Sequence, residues 1–229
     1  MNLEEGEIIS SSKFGESSES FHKAEIQKLI KSGRATDSRH ARTILAARRL
    51  AERHKQRAEK DHLTGLYNRN GFFERAPEQL ELINRLRTTA LLVFLDFDNF
   101  KQINDRLGHP VGDQALIEVA DVLKESFRKI DLIARLGGDE FGVLAIETEE
   151  DKAEAKDKEK RDNLEVIKDR LEEKIEERNR RKDRQYQLSL SMGVTRYDSQ
   201  EPCLIDELLA RADRAMYEQK RAKGILRSE

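Results

Sequence analysis

A single cysteine, Cys203, in 229 residues excludes an intramolecular disulfide and suits a reducing compartment. Long apolar runs are missing as well. The longest is the six residues from Ala90 to Leu95, far short of the roughly 18 needed to cross a bilayer. Met1 to Glu5 supply neither the basic stretch nor the apolar core of a secretory signal. These absences predict a soluble, cytoplasmic protein without a transmembrane segment. No sign of charge dominates either: charged residues make up 38% of the chain, yet the formal net charge is -2. That balance argues against an obligate nucleic-acid binder. The length fits one domain of usual size plus an N-terminal extension, with no room for a second large sensory domain.

Residues 1–20 are rich in Ser, Glu and Gly and are predicted to form a disordered tail. Ile26, Leu29 and Ile30 then suggest a short helix within Phe21–Ser32, stopped at Gly33, and Asp37 reads as the N-cap of a second helix running to about Lys60. On that second helix Ile44, Ala47, Ala51, His54 and Ala58 recur at spacings of three and four, the seam of an alanine-rich coiled coil. Its other face carries Arg39, Arg42, Arg48, Arg49, Arg53, Lys55, Arg57 and Lys60, read first as a solvated face and second as a contact for anionic lipid or nucleic acid. Residues 21–60 are thus a helical extension. It holds no receiver, haem-binding or light-sensing motif.

The rest of the chain reads as a helix (69–87), a strand (90–96), two helices (99–107 and 111–127), a hairpin (131–146), a helix, a strand (186–195) and a last helix (203–222). Helices interleaved with few strands, one adjacent pair forming a hairpin, predict an α+β domain with a mixed sheet of ferredoxin-like or polymerase-palm type. Leu164, Ile167, Leu171 and Ile175 share one helical stripe that should pack on the sheet. Residues 147–162, almost wholly charged, read as a solvated extension or flexible insert without chemistry.

Acids stand where the chemistry of such a domain would gather. Ala90–Leu95 has the composition of a strand buried on both faces, which places Asp96 at its end, with Asp98 two residues on. In the hairpin, Gly137 and Gly138 are expected to supply positive-φ backbone, leaving Asp139 and Glu140 at the exposed tip. Hard carboxylate oxygens suit Mg²⁺, so Asp96, Asp139 and Glu140 are candidate ligands. Crowded carboxylates raise one another's pKa, so metal binding and site assembly should be coupled. The amides of Asn99 and Phe100 begin a helix, a setting suited to phosphate, and Lys101 adds a point charge beside them.

Five segments occur in an informative order: Asp61–Arg69 (DHLTGLYNR), the Asp96 strand, Arg135–Phe141 (RLGGDEF), Leu188–Val194 (LSLSMGV), and a helix with Arg211-Ala212-Asp213 and Ala215-Met216-Tyr217. This succession resembles the GGDEF family, diguanylate cyclases that condense two GTP molecules into cyclic di-GMP, over Asp61 to Lys223. The resemblance implies a GGDEF domain over 61–229, with helices around a central, mainly antiparallel sheet. It implies that Asp96 and Asp139 bridge two Mg²⁺ ions per site, with Mn²⁺ as a substitute, that the Phe97 carbonyl adds a ligand, and that Glu140 joins the second metal or deprotonates the attacking hydroxyl. Which acid is the base stays open. Lys220 matches a phosphate contact, and Asn104 and Asp113 match the residues that read the base. A carboxylate at Asp113 accepts from guanine N1–H and the exocyclic amine, which favours GTP over a mixed adenine-guanine product. Gly137 and Gly138 let the hairpin lie against the nucleotide. The chain departs from the family at one point: the usual glycine followed by a basic residue after the phosphate lysine is here Lys223 followed by Gly224.

Arg128 and Asp131 form an Arg-x-x-Asp pair with five residues between it and Gly137, the spacing of the family's product-inhibition site. The arginine fork suits guanine O6 and N7. The partners implied are GTP, cyclic di-GMP as inhibitor, and a second copy of the chain, since each domain supplies half of the reaction. The extension, 21–60, could serve dimerisation, docking of a regulatory protein or localisation. The alternative is a non-catalytic cyclic di-GMP receptor using Arg128 and Asp131. Degenerate relatives lose an acid or glycine of the hairpin, and this chain keeps all four.

Overall fold

The computed structural model describes residues 24–148, 163–181 and 184–225, without the side chains of 51–57. It divides into two compact units, Met1–Arg57 and Ala58–Glu229. The expected tail, 1–20, and positions 149–162 of the charged insert lie outside the described residues. Among those described, no helix is long and apolar enough to cross a membrane.

In the first unit, helix α1 (24–31) meets the start of α2 (Ser38–Glu59). Gly33, at φ 68°, reverses the chain between them, and Asp37 Oδ1 caps α2 by accepting from His40 N–H at 2.9 Å. Ile26, Leu29, Ala35, Ala41 and Leu45 are buried together, with Ile30 and Ile44 at the edge of the cluster. The expected seam therefore begins differently: Ile44 is spent partly against α1, and Ala47 is exposed. Ala51 and His54 fall where side chains are not described.

The second unit runs α3 (Arg69–Leu86), β1 (Thr89–Phe97), α4 (Phe100–Leu107), α5 (His109–Ser126), β2 (Leu132–Arg135), β3 (Glu140–Ile146), α6 (Asn163–Asn179), β4 (Leu190–Asp198) and α7 (Ile205–Ala222). The four strands lie in the order β2-β3-β1-β4, and every pairing is antiparallel. β1 is buried on both faces, and its period of two divides the molecule into layers. Leu91, Val93, Leu95 and Phe97 join a core with Leu116, Val119 and Leu123 of α5 and Leu171 and Ile175 of α6. Ala90, Leu92 and Phe94 join another with Phe72 and Ile83 of α3 and Leu208, Ala212 and Met216 of α7. This is the α+β arrangement expected, with helices on both faces of an antiparallel sheet.

Three local expectations change. Neither Gly137 nor Gly138 adopts a positive φ. The reversal is closed instead by the N–H groups of Leu136 and Gly137, which both donate to the Glu140 carbonyl at 2.8 and 3.3 Å. Secondly, residues 186–189 are not part of β4: the Asn179 side chain bonds both backbone groups of Leu188, and Ser189 O accepts from Asp98 N–H. Thirdly, the insert is not solvated from its first residue. Glu147 is buried, pairs with Arg196 at 3.1 Å and accepts from Asn163 Nδ2 at 2.6 Å, tying the start of α6 to β4.

Candidate active site

The antiparallel register sets Asp96 directly opposite Glu140 on one side and Ser191 on the other. Phe97 N–H donates to the Asp139 carbonyl at 3.0 Å, so the strand end and the hairpin turn are fastened together. Asp96, Asp139 and Glu140 therefore share one end of the sheet. Burial comes first in holding the Asp96 carboxyl above its ordinary value, outweighing the Lys220 ammonium, with Asp139 and Asp98 adding to the rise. Glu140 is raised in the same way, by burial and then by Asp96, Asp139 and Asp213, with Arg69 opposing. Mutual repulsion is thus present as expected, but desolvation leads it.

The donor chemistry fits Mg²⁺: hard oxygens on two fastened elements beside a backbone carbonyl at Phe97. The side-chain orientations differ from the expected convergence. Asp96 Oδ1 accepts from Lys220 Nζ at 2.6 Å, and the Glu140 carboxylate folds back to where a Cβ on Gly137 would lie. Among the described residues, no three acidic, histidine or cysteine side chains stand close enough to hold an ion. Gly137 is needed for the room it leaves Glu140. A Cβ on Gly138 would meet open space.

Beyond Phe97 the chain turns sharply. Asn99 is left-handed (φ 58°, ψ 22°) and precedes the first residue of α4, an αL-then-αR succession whose amides form an anion-binding concavity. Lys101 is exposed on that first turn. Asp98 has a different fate from Asp96: it is buried, accepting from Ser189 Oγ (2.7 Å) and Ser191 Oγ (2.6 Å), with Lys223 Nζ at 3.3 Å. Lys223 also donates to the Leu190 carbonyl at 2.6 Å. The displaced basic residue of the sequence is therefore a fastening of the loop base.

At the corner between α4 and α5, Gly108 (φ 88°) turns the chain, and Gly112 lets Asn104 lie on α5, since a Cβ there would overlap Asn104 Oδ1. Asp113, the next residue, is exposed on the same first turns of α5. Sequence reasoning named Asn104 and Asp113 but missed Gly112, which brings their helices together. It also missed Arg135, whose guanidinium donates to the Gly138 carbonyl at 2.7 and 3.1 Å and pairs with Asp61 at 3.3 Å. Asp61 in turn accepts from Thr64 Oγ1 at 2.6 Å. Asp213, seven residues before Lys220 and so on the same face of α7, was named only as part of a motif and not as a neighbour of Glu140. That spacing was the available signal.

Arg128 and Asp131 lie at the other end of β3, about 20 Å from Glu140 for a strand of this length. Asp131 accepts from Arg128 N–H at 2.8 Å and from Ile146 N–H at 3.2 Å. The Arg128 side chain is exposed, with Nη1 donating to Thr148 Oγ1 at 3.2 Å. Asp131 thus has a structural duty, closing the start of the hairpin.

Residues 58–224 match the family described as "Diguanylate cyclase, GGDEF domain". A probable diguanylate cyclase, DgcT of Escherichia coli K12, is 35% identical over 164 residues, 71% of this chain and 34% of that protein. This chain thus spans about a third of that relative's length. The diguanylate cyclase SiaD of Pseudomonas aeruginosa, solved with its activator SiaC, superposes with a TM-score of 0.62 at 29% identity, covering 92% of this chain and 75% of that one. The coiled coil and GGDEF domain of DgcB from Caulobacter crescentus, solved with c-di-GMP, gives a TM-score of 0.63 at 27% identity over 79% of this chain and 90% of that one. With its fold, motif order and strand-end acids in agreement, the chain belongs to the GGDEF-domain diguanylate cyclase family.

Proposed function

We propose that this domain condenses two GTP molecules into cyclic di-GMP with release of two pyrophosphates, each of two chains presenting one nucleotide. The observation that carries this reading is the set of groups at one end of the sheet: Asp96 across from Glu140, Asp139 fastened to Phe97, and the αL–αR turn at Asn99 beside them. Asn104 and Asp113 would hold the guanine, and Asn99, Phe100, Lys101 and Lys220 the triphosphate, with Gly137 and Gly138 leaving it space. Asp96, Asp139, Glu140 and the Phe97 carbonyl would hold two Mg²⁺ ions. Bound there, the metal supplies charge neutralisation of the triphosphate and a lower pKa for the ribose 3′-hydroxyl. The chain's part is to place that hydroxyl in line with the α-phosphate of the facing nucleotide. Glu140, directly across the strand pair from Asp96, would join the second metal or receive the proton of that hydroxyl.

Arg128 and Asp131 would bind the product as a regulator, and 21–60 would align two chains or dock a regulatory protein. Incubation with GTP and Mg²⁺ followed by mass analysis tests the reaction. Cyclic di-GMP and pyrophosphate are expected, in a 1:2 ratio. Recovery of unchanged GTP from a chain that binds cyclic di-GMP would favour a receptor instead.

A further inference from the structure

Lys220 has one ammonium and, on the GTP reading above, on which this inference rests, two anionic partners. Here it is committed to Asp96: Nζ stands 2.6 Å from Oδ1, with the two side chains only 17% and 13% exposed. The fold dictates this meeting. α7 is pressed onto β4 at Gly193, where the backbone of Ala212 and Met216 leaves no space for a Cβ, and Lys220 comes one turn after Met216. Ser191, two residues from Gly193, lies opposite Asp96. An aspartate oxygen held by an ammonium is not open to a divalent cation, which needs it at about 2.0–2.1 Å and is repelled by the lysine. The remaining acids do not form a site without it, because Glu140 is folded over Gly137.

We propose that Lys220 serves Asp96 and the nucleotide phosphate in turn. In the empty domain it is the counter-ion that keeps Asp96 from being an unpaired half-buried charge. It also keeps the cation out. An arriving triphosphate draws the ammonium across and opens Asp96 as a ligand. Metal and nucleotide are thereby linked through one side chain, and each raises the affinity of the other by the same factor. Lys223 takes no part, being bound to Asp98 and the Leu190 carbonyl.

The test is Mn²⁺ binding to the full chain, followed by electron paramagnetic resonance without nucleotide and then with a non-hydrolysable GTP analogue. Lys220→Met keeps the apolar stem and removes the charge. Its Mn²⁺ affinity without nucleotide is expected to rise about tenfold, and the gain that the analogue gives the native chain is expected to shrink by a similar factor. Lys220→Arg, which keeps the charge, should stay close to native. Arg106→Met removes a positive charge from the exposed last turn of α4, at a residue given no part in holding metal or nucleotide, and should leave nucleotide-free Mn²⁺ affinity unchanged. Equal nucleotide-free affinity in the native chain and Lys220→Met overturns the exchange, as does an equal rise in Lys220→Met and Arg106→Met. A native chain that takes up the analogue with Mn²⁺ but shows either result loses only the exchange. If it takes up neither ligand, the GTP reading falls and the exchange with it.

Discussion

Ionised Glu140 destabilises the metal-free domain, because burial, then Asp96, Asp139 and Asp213, hold its carboxyl above the ordinary value. A folded-state pKa above the unfolded one means that the proton favours folding, a contribution complete at low pH and lost as pH rises through the folded value. Glu140→Gln should therefore melt higher than the native chain at pH 7 without divalent cations while losing cyclisation, and the gap should close below the usual carboxylate range. Thermal melts across pH would show it, and identical curves at pH 7 would count against it. Asp96 is raised in the same direction, so metal uptake should fail on acidification earlier than at an ordinary carboxylate site. Lys223→Ala belongs to a different class: it removes bonds to buried Asp98 and to the Leu190 carbonyl. It should cost about 1–2 kcal/mol in denaturant unfolding, with KM for GTP changed less than roughly twofold if phosphate contact falls to Lys220. The placement of Asp96, Asp139 and Glu140 at one end of the sheet was legible in the sequence because a strand end and a glycine hairpin announce themselves. The inward turn of Asp98 was not, since alternation predicts that residues two apart share a face. It fails where β1 stops at Phe97 and Asn99 goes left-handed.

At the scale of elements, what the sequence showed was the buried run of β1 and the apolar stripe of α6, both set by burial periodicity. What it hid were the boundaries fixed by side-chain bonds. Leu188 and Ser189 have strand composition but are held by Asn179 and Asp98, and α5 begins at His109 because Gly108 can take φ 88° just ahead of Pro110. The paired glycines of the hairpin looked alike and are not. Gly138→Ala meets open space, so unfolding free energy should change by less than about 0.5 kcal/mol while KM for GTP rises, separating substrate access from folding. Gly193→Ala places a Cβ against backbone atoms of α7. It should destabilise the domain by about 1–3 kcal/mol and disturb the approach of Lys220 to Asp96. A Gly193→Ala protein as stable as the native chain would refute the close packing of α7 on β4.

For the whole molecule, the proposed regulator and the proposed chemistry occupy opposite ends of β3. Arg128→Ala should weaken inhibition by added cyclic di-GMP at least about tenfold, within the usual range of coupling between sites, while the initial rate at saturating GTP is kept. Unchanged inhibition would remove Arg128 from that role. If each domain presents one nucleotide, as proposed, specific activity should fall as the chain is diluted toward monomer, and concentration-independent activity would contradict a two-chain reaction. The central claim is that strand-end carboxylates and a helix start together hold a guanosine triphosphate through divalent cations. Calorimetry with a non-hydrolysable GTP analogue tests it most directly. The account predicts heat of binding with Mg²⁺ that disappears on chelation and in Asp96→Asn, with no comparable binding of the ATP analogue. Binding indifferent to Mg²⁺, or none at all in a chain that unfolds cooperatively, would contradict it.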